Sequence, residues 1–251
     1  MIILILLIIP LITAIACVLT GKHSISKYIS IAGSFIALLY NIFLNYNIYV
    51  HRSLAGLNDF FYMDSLSVLT TQIVTIVGFA SSLYSAGYMA AELHEGVVTQ
   101  KKLRLYYFLF HMFIFTMLAV CVINNLGIMW VAIEGTTLST TFLVGFYNKK
   151  QHQEAAWKYI IICTVGITLA LFGVILTYHS SKGVLGEIGH TLNWTGLLTV
   201  ADRFEPHLIK LAFLFILIGY GTKAGLAPMH TWLPDAHSQA PAPISALFSG
   251  V

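Results

Sequence analysis

Two oppositely charged residues sit in apolar runs where a charge is costly: Glu134 in NNLGIMWVAIEGTTLSTTFLVGFY and Lys223 in IGYGTKAGLAPMHTWLPDAH. The chemistry open to such residues is proton carriage. A carboxylate or ammonium at the centre of a lipid bilayer costs roughly 2.5–3.5 kcal/mol on insertion scales, so these groups turn toward the protein interior and take partners. Each would also set the other's charge state. At an effective dielectric of about 20 their attraction is about 4 kcal/mol at 4 Å and about 1.7 kcal/mol at 10 Å, so drawing the carboxylate away favours release of the ammonium proton.

Plainer readings exist for both. Glu134 can be a packing acid satisfied by a lysine or by the hydroxyls of Thr136, Thr137, Ser139, Thr140 and Thr141, a polar run that also lets its helix pack against others and hold water. Lys223 can be a lysine that snorkels from a helix end. Against that stands the mostly apolar sequence between Lys223 and the next acid, Asp235, which offers no nearby end. Gly219, Gly221 and Gly225 flank the lysine and Pro228 follows, the signature of an interrupted membrane helix whose freed carbonyls admit water.

Further candidates are weaker alone. Lys158, in EAAWKYIIICTVG, serves equally as a third relay member or as a cytoplasmic anchor beside Trp157. His111, in LFHMFIF, is a candidate shuttle because an unperturbed imidazole titrates near neutrality, although a lone histidine among aromatics is more often a packing group. His237, in PMHTWLPDAHSQAPAP, is a candidate relay at the cytoplasmic mouth. His230, Asp235 and His237 do not have the HExxH spacing, and the nearby prolines oppose the helix a metal site would need, so no metal is expected. Cys17, Cys121 and Cys163 stand alone in apolar segments and read as buried thiols.

These residues need membrane helices to hold them. Of 251 residues, 58% are hydrophobic and 9% charged, far below the roughly one quarter usual in soluble domains. Apolar windows of spanning length fall near residues 2–20, 28–45, 65–89, 105–123, 125–146, 156–178 and 208–226. The expected class is therefore an all-α polytopic membrane protein with seven crossings and, after Pro241, the start of an eighth. The N-terminal MIILILLIIPLITAIACVLTG lacks a basic n-region and reads as a first membrane helix. The sequence between 179 and 206 reads as a link lying along the outer interface with Trp194 at headgroup depth. Asn58, Asp59 and Asp64 around FFYM read as a helix cap and an aromatic belt.

Lys and Arg positions give an orientation. Lys22, Lys27, Lys101, Lys102, Arg104, Lys149, Lys150 and Lys158 lie at odd-to-even links, against Arg52, Lys182, Arg203 and Lys210 at the others. The N-terminus is expected outside, in a bacterial inner membrane. The net charge of +3 comes from short loops and offers no basic groove for nucleic acid.

With Glu134, Lys223 and GLAPMHTWLPDAHSQAPAPISALFSG assembled, the chain resembles the antiporter-like membrane subunits shared by respiratory complex I, multisubunit cation/proton antiporters and energy-converting membrane hydrogenases. NNLGIMWVAIEGTTLST, EAAWKYIIICTVG and GYGTKAGLAPMHTWLPDAHS carry the resemblance, which is strongest to the F subunit of hydrogenase-4 and runs from about Ser85 onward. It implies a fold of inverted five-helix repeats, each with a broken helix and a lysine. In that pattern Glu134 matches the helix-five glutamate, Lys223 the lysine of the broken helix seven, and Lys158 a basic position in helix six. Residues 1–100 would be helices one to three, and 101–251 a first repeat that stops in helix eight.

The implied role is translocation of protons, or sodium with protons, driven by other membrane and peripheral subunits of a redox complex, with no cofactor in this chain. An antiporter or ion-coupled transporter module without a redox partner is the alternative, and a non-conducting truncated scaffold a third reading.

Overall fold

The computed structural model describes residues 2–20, 23–185 and 192–250. In chain order the elements are α1 (Ile2–Leu19), α2 (His23–His51), β1 (Leu54–Gly56), β2 (Phe61–Met63), α3 (Ser65–His94), α4 (Gln100–Val122), α5 (Leu126–Val144), α6 (Lys150–Leu185), α7 (Trp194–Val200), α8 (Pro206–Ala224), α9 (Trp232–Gln239) and α10 (Ala242–Gly250). Among them α1 to α6 and α8 are long and apolar enough to cross a membrane, which makes the seven crossings expected. Helices dominate because hydrocarbon offers no partner to a backbone N–H or C=O, and a helix satisfies both within itself. Lys22 and the 186–191 part of the 179–206 link lie outside the described residues.

Several helices outrun their apolar windows. The sequence predicts a sixth crossing at 156–178, whereas α6 has 36 residues, about 54 Å at 1.5 Å per residue. That exceeds a hydrocarbon core of about 30 Å. Hydropathy marks only the part in lipid; the polar ends KQHQEAA and HSSKGVL continue the helix because backbone hydrogen bonds do not depend on apolar side chains.

The ends of the bundle are fixed by polar side chains. Asp64 caps α3 as expected, accepting from the N–H groups of Leu66 and Ser67 at 3.0 and 2.9 Å. FFYM does more than form an aromatic belt: Phe61–Met63 pairs antiparallel with Leu54–Gly56 in a small hairpin. Its turn passes through positive φ at Leu57, Asn58 and Asp59, a region that Asn and Asp tolerate better than other side-chain-bearing residues. Asn124 ties that turn to the start of α7, donating to the Asp59 carbonyl at 2.8 Å and to Thr195 Oγ1 at 2.9 Å. Asn125 caps α5 and hydrogen-bonds Asn193. The link thus contains a short helix, with Trp194 49% exposed at its start.

The core centres on α4, whose Leu103, Tyr106, Tyr107, Phe110 and Leu118 are almost wholly buried against α1, α3 and α10. A second apolar cluster joins Val144, Tyr159, Cys163, Trp232 and Ala236. Helices α6 and α8 approach most closely where Gly166 and Ala170 face Gly219: a Cβ on Gly219 would collide with backbone atoms of both partners. Small residues at a contact let membrane helices pack by dispersion, the main attraction left when lipid is as apolar as the side chains. After Pro241 the chain forms α10, which lies against α3 and brings Gly250 beside Val77.

Candidate functional site

Helix α8 stops one residue after Lys223. Gly225 takes the left-handed conformation at φ 78°, which a residue with a Cβ adopts only with strain. Its N–H reaches back to the Thr222 carbonyl, and the Leu226 N–H bonds Gly221 O at 2.9 Å, closing the helix end in the manner of a Schellman turn. The Trp232 indole donates to Thr222 O at 2.9 Å. The chain resumes as α9 at Trp232, so the interruption predicted from the glycines and Pro228 is present, and two of its freed carbonyls, those of Gly221 and Thr222, are held by named donors.

Lys223 points into the bundle from that last turn. Its ammonium donates to Tyr159 Oη at 2.6 Å and to Thr137 Oγ1 at 2.9 Å. It lies 4.9 Å from the Tyr159 ring centroid, and the shorter hydroxyl distance makes the hydrogen bond the dominant contact. Tyr159 in turn shares a 2.7 Å hydrogen bond with Thr140 and packs on the Trp232 ring at a centroid distance of 4.9 Å. The lysine opens on a cavity of about 350 Å³ whose lining includes Phe113, Met117, Tyr220, Trp232 and Phe248. That space is mostly apolar, but the Tyr220 hydroxyl is buried there without a protein partner.

Glu134 sits one turn before Thr137 on α5 and is turned toward α6. Its Oε1 accepts from Thr164 Oγ1 at 3.2 Å, and its Oε2 is buried with no hydrogen-bond partner. No ion pair joins Glu134 to Lys223 among the described residues. The lysine instead reaches the glutamate's helix through Thr137, and the two charges occupy neighbouring turns of one polar interface between α5, α6 and α8.

The remaining candidates separate. Lys158 faces outward, its side chain 47% exposed, and forms ion pairs with Glu154 at 2.9 Å and with Asp235 of α9 at 3.0 Å. His237 shares a 3.0 Å hydrogen bond with Ser245 and stands edge-on to Phe248, a residue of the cavity wall. Partial burial holds its imidazole below the usual range. His111 is buried on another face of α4, its Nε2 2.9 Å from Ser30 Oγ of α2, with no hydrogen bond toward Lys223. Tyr159 is the residue that sequence reasoning missed. A signal existed, since a tyrosine buried in a membrane helix must place its hydroxyl on a partner.

Comparison with known proteins agrees with this architecture. The family model described as NADH:quinone oxidoreductase/Mrp antiporter, TM matches residues 123–251, and that for the NADH-ubiquinone oxidoreductase (complex I) chain 5 N-terminus matches residues 57–96. The hydrogenase-4 component F homolog of Methylacidiphilum infernorum is 40% identical over 92% of this chain and 47% of its own length. Hydrogenase-4 component B of Escherichia coli is 32% identical over 75% of this chain and 26% of its own. The chain thus spans about half the length, or less, of these curated relatives.

Among solved structures, a chain of the membrane-bound sulfane sulfur reductase, an archaeal respiratory membrane complex, superposes with a TM-score of 0.82 at 21% identity, over 98% of this chain and 50% of that one. A chain of respiratory complex I from Thermus thermophilus with bound aureothin gives 0.74 at 21%, over 98% and 52%. These likenesses establish the fold: seven membrane helices and the start of an eighth, the N-terminal part of an inverted-repeat antiporter-like architecture with its seventh crossing broken. The chain belongs to the NADH:quinone oxidoreductase/Mrp antiporter transmembrane family.

Proposed function

We propose that the chain works as a proton-translocating membrane subunit of a hydrogenase-4-like or complex I-like assembly, with Lys223 as the group that takes up and releases the proton. The observation that carries this is the setting of Lys223: an ammonium at a helix break, held by two neutral hydroxyls rather than by a carboxylate, at the edge of a cavity. Neutral partners leave the charge uncompensated locally, so a modest change in the surrounding field shifts the balance between ammonium and amine.

Glu134 supplies that field from the next turn of α5. Its Oε2 has no protein partner, and Thr137, which accepts from the lysine, turns its own hydroxyl to the Ile133 carbonyl. The proposed Glu–Lys relay is therefore not a contact pair, and the two charges act on each other through space. Lys158 serves as a clamp that pins α9 to α6 through Asp235, a positioning role for the break, and His237 is the proton-accessible group at the α9–α10 side of the cavity. The orientation with the N-terminus outside, in a bacterial inner membrane, rests on the Lys and Arg distribution. The redox chemistry belongs to partner subunits.

The test is proton pumping by the assembled complex in sealed vesicles. Lys223→Ala and Glu134→Gln should each abolish most of the pH gradient formed per electron transferred while assembly persists. Unaltered pumping in both variants would refute the relay, and a gradient that requires sodium but no electron donor would move the chain to the antiporter class.

A further inference from the structure

The buried face of α3 carries polar residues at Gln72, Thr75, Ser82, Ser85, Tyr88 and Glu92, spaced three, four or seven apart as one helical stripe. From Gln72 to Glu92 the stripe runs about 30 Å at 1.5 Å per residue, the thickness of a hydrocarbon core. Each member has a partner on a neighbouring helix or link. Glu92 Oε1 accepts from Tyr147 at 2.9 Å, and Tyr147 meets Tyr88 at 3.1 Å. Ser85 meets Tyr106 at 2.8 Å, and Ser82 meets Ser30 at 2.9 Å, the same serine that holds His111. Beyond these, Asn41 and Asn45 of α2 donate to Gln72, and Asn41 also to Thr75.

Interhelical polar contacts of this kind can serve only as adhesive. Two observations exceed that role. Ser34 Oγ, Asn41 Oδ1, Asn45 Oδ1 and Glu92 Oε2 are buried along the stripe with no protein partner, and buried polar atoms of that kind are ordinarily satisfied by ordered water. The stripe also reaches both ends of the bundle. Glu92 and Tyr147 lie where α3 finishes and the α5–α6 link begins, and Asn45 lines a cavity of about 160 Å³ with Tyr49, Arg52 and Ser65.

We propose that this face is a second proton-access column, running from Glu92 to His111 and separate from the Lys223 cavity. Carboxyl, phenol, hydroxyl and imidazole groups both accept and donate protons, so Glu92, Tyr147, Tyr88, Tyr106, Ser85 and Ser82, bridged by water, can pass a proton to the imidazole. The carboxamides of Asn41, Asn45 and Gln72 bind water but do not hand a proton on in that way, so the protonatable side chains of the column lie between Glu92 and His111. His111 is the terminus. The titratable groups on the elements around it are Cys17 of α1, His23, Lys27, Tyr28, Tyr40, Tyr46, Tyr49 and His51 of α2, Tyr84, Tyr88, Glu92 and His94 of α3, and Lys101, Lys102, Arg104, Tyr106, Tyr107 and Cys121 of α4. On α2, Lys27 lies against Tyr28, and on α5, Glu134 turns to α6.

Exchange of the histidine ring C2 hydrogen for deuterium, which requires transient protonation of the imidazole, reads this in the assembled complex in lipid nanodiscs by mass spectrometry. His111 should exchange measurably. Tyr147→Phe and Glu92→Gln should slow it severalfold, and Glu92→Asp should restore it. Glu92→Gln keeps an acceptor for Tyr147, so a packing role predicts no slowing. Asn41→Leu and Lys223→Ala should leave the rate unchanged. The column is refuted by an unexchanging His111, by equal rates in wild type and Glu92→Gln, or by slowing in Asn41→Leu. Slowing in Lys223→Ala would refute its separateness, and none of these results bears on the Lys223 relay itself.

Discussion

The Lys223 ammonium is 2.6 Å from the Tyr159 hydroxyl, and Tyr159 passes the contact on to Thr140 at 2.7 Å. A lysine, a phenol and a threonine from α8, α6 and α5 thus form one hydrogen-bonded line across three helices. The charge at the break is held by groups that do not cancel it.

Tyr159→Phe removes the hydroxyl and keeps the ring. A hydrogen bond to a charged group is worth about 1.5–3 kcal/mol, so under the proposed relay the rate of proton transfer through Lys223 should fall by about tenfold or more with the complex still assembled. Pumping measured per electron transferred in vesicles checks this; an unchanged rate would leave Tyr159 as packing alone.

Trp232→Phe should loosen the break. It deletes the indole bond to the Thr222 carbonyl while retaining most of the aromatic contact with Tyr159. The Thr222 carbonyl keeps the Gly225 N–H at 3.2 Å, so the loss is that of one hydrogen bond, about 0.5–1.5 kcal/mol, and the expected readout is faster backbone hydrogen exchange over 222–233 with little change in α1–α4.

Gly219→Ala tests the α6–α8 contact. The added methyl meets the backbone of Gly166 and Ala170 rather than a side chain that can turn aside, so the two helices must separate. Overpacking of this kind costs about 1–3 kcal/mol. A lower apparent melting temperature in detergent is expected, together with reduced pumping if Lys223 carries the proton as proposed, because it rides on α8; Gly87→Ala, with open space around its Cβ, is the neutral control.

Glu205 gives a pH dependence. It caps α8 by accepting from the N–H groups of His207 and Leu208, and these bonds hold its carboxyl below the usual range. A depressed folded value means that the cap stabilises fully above the unfolded carboxylate value of about 4.3 and is lost as pH falls through the folded one. Glu205→Gln should therefore lower the melting temperature at neutral pH, with the difference closing below about pH 4. A gap that persists in acid would exclude the charge as its cause.

Much of this protein was legible in its residues. The seven crossings follow from apolar windows because bilayer thickness sets a length that hydropathy can count, and the break in α8 follows from Gly219, Gly221, Gly225 and Pro228 because backbone conformation is a local property. Asp64 was readable as a cap for the same reason. Less legible was the hairpin at FFYM, whose pairing depends on Leu54–Gly56 meeting Phe61–Met63. The polar ends of α6 were also hidden, since a helix outside lipid leaves no hydropathy signal.

The sequence by itself determined that Glu134 and Lys223 are charged residues set in apolar membrane helices, Lys223 beside a break, since the cost of a charge in hydrocarbon is written into residue type and position. The tertiary structure decided whom they meet. Lys223 turns to Tyr159 and Thr137, Glu134 turns to Thr164, Lys158 leaves for Asp235, and His111 joins Ser30 on another face of α4. Those choices depend on the rotation of each helix about its axis and on the close approach of α6 to α8 at glycine. Both are properties of packing between segments far apart in the chain, which no local pattern of residues encodes.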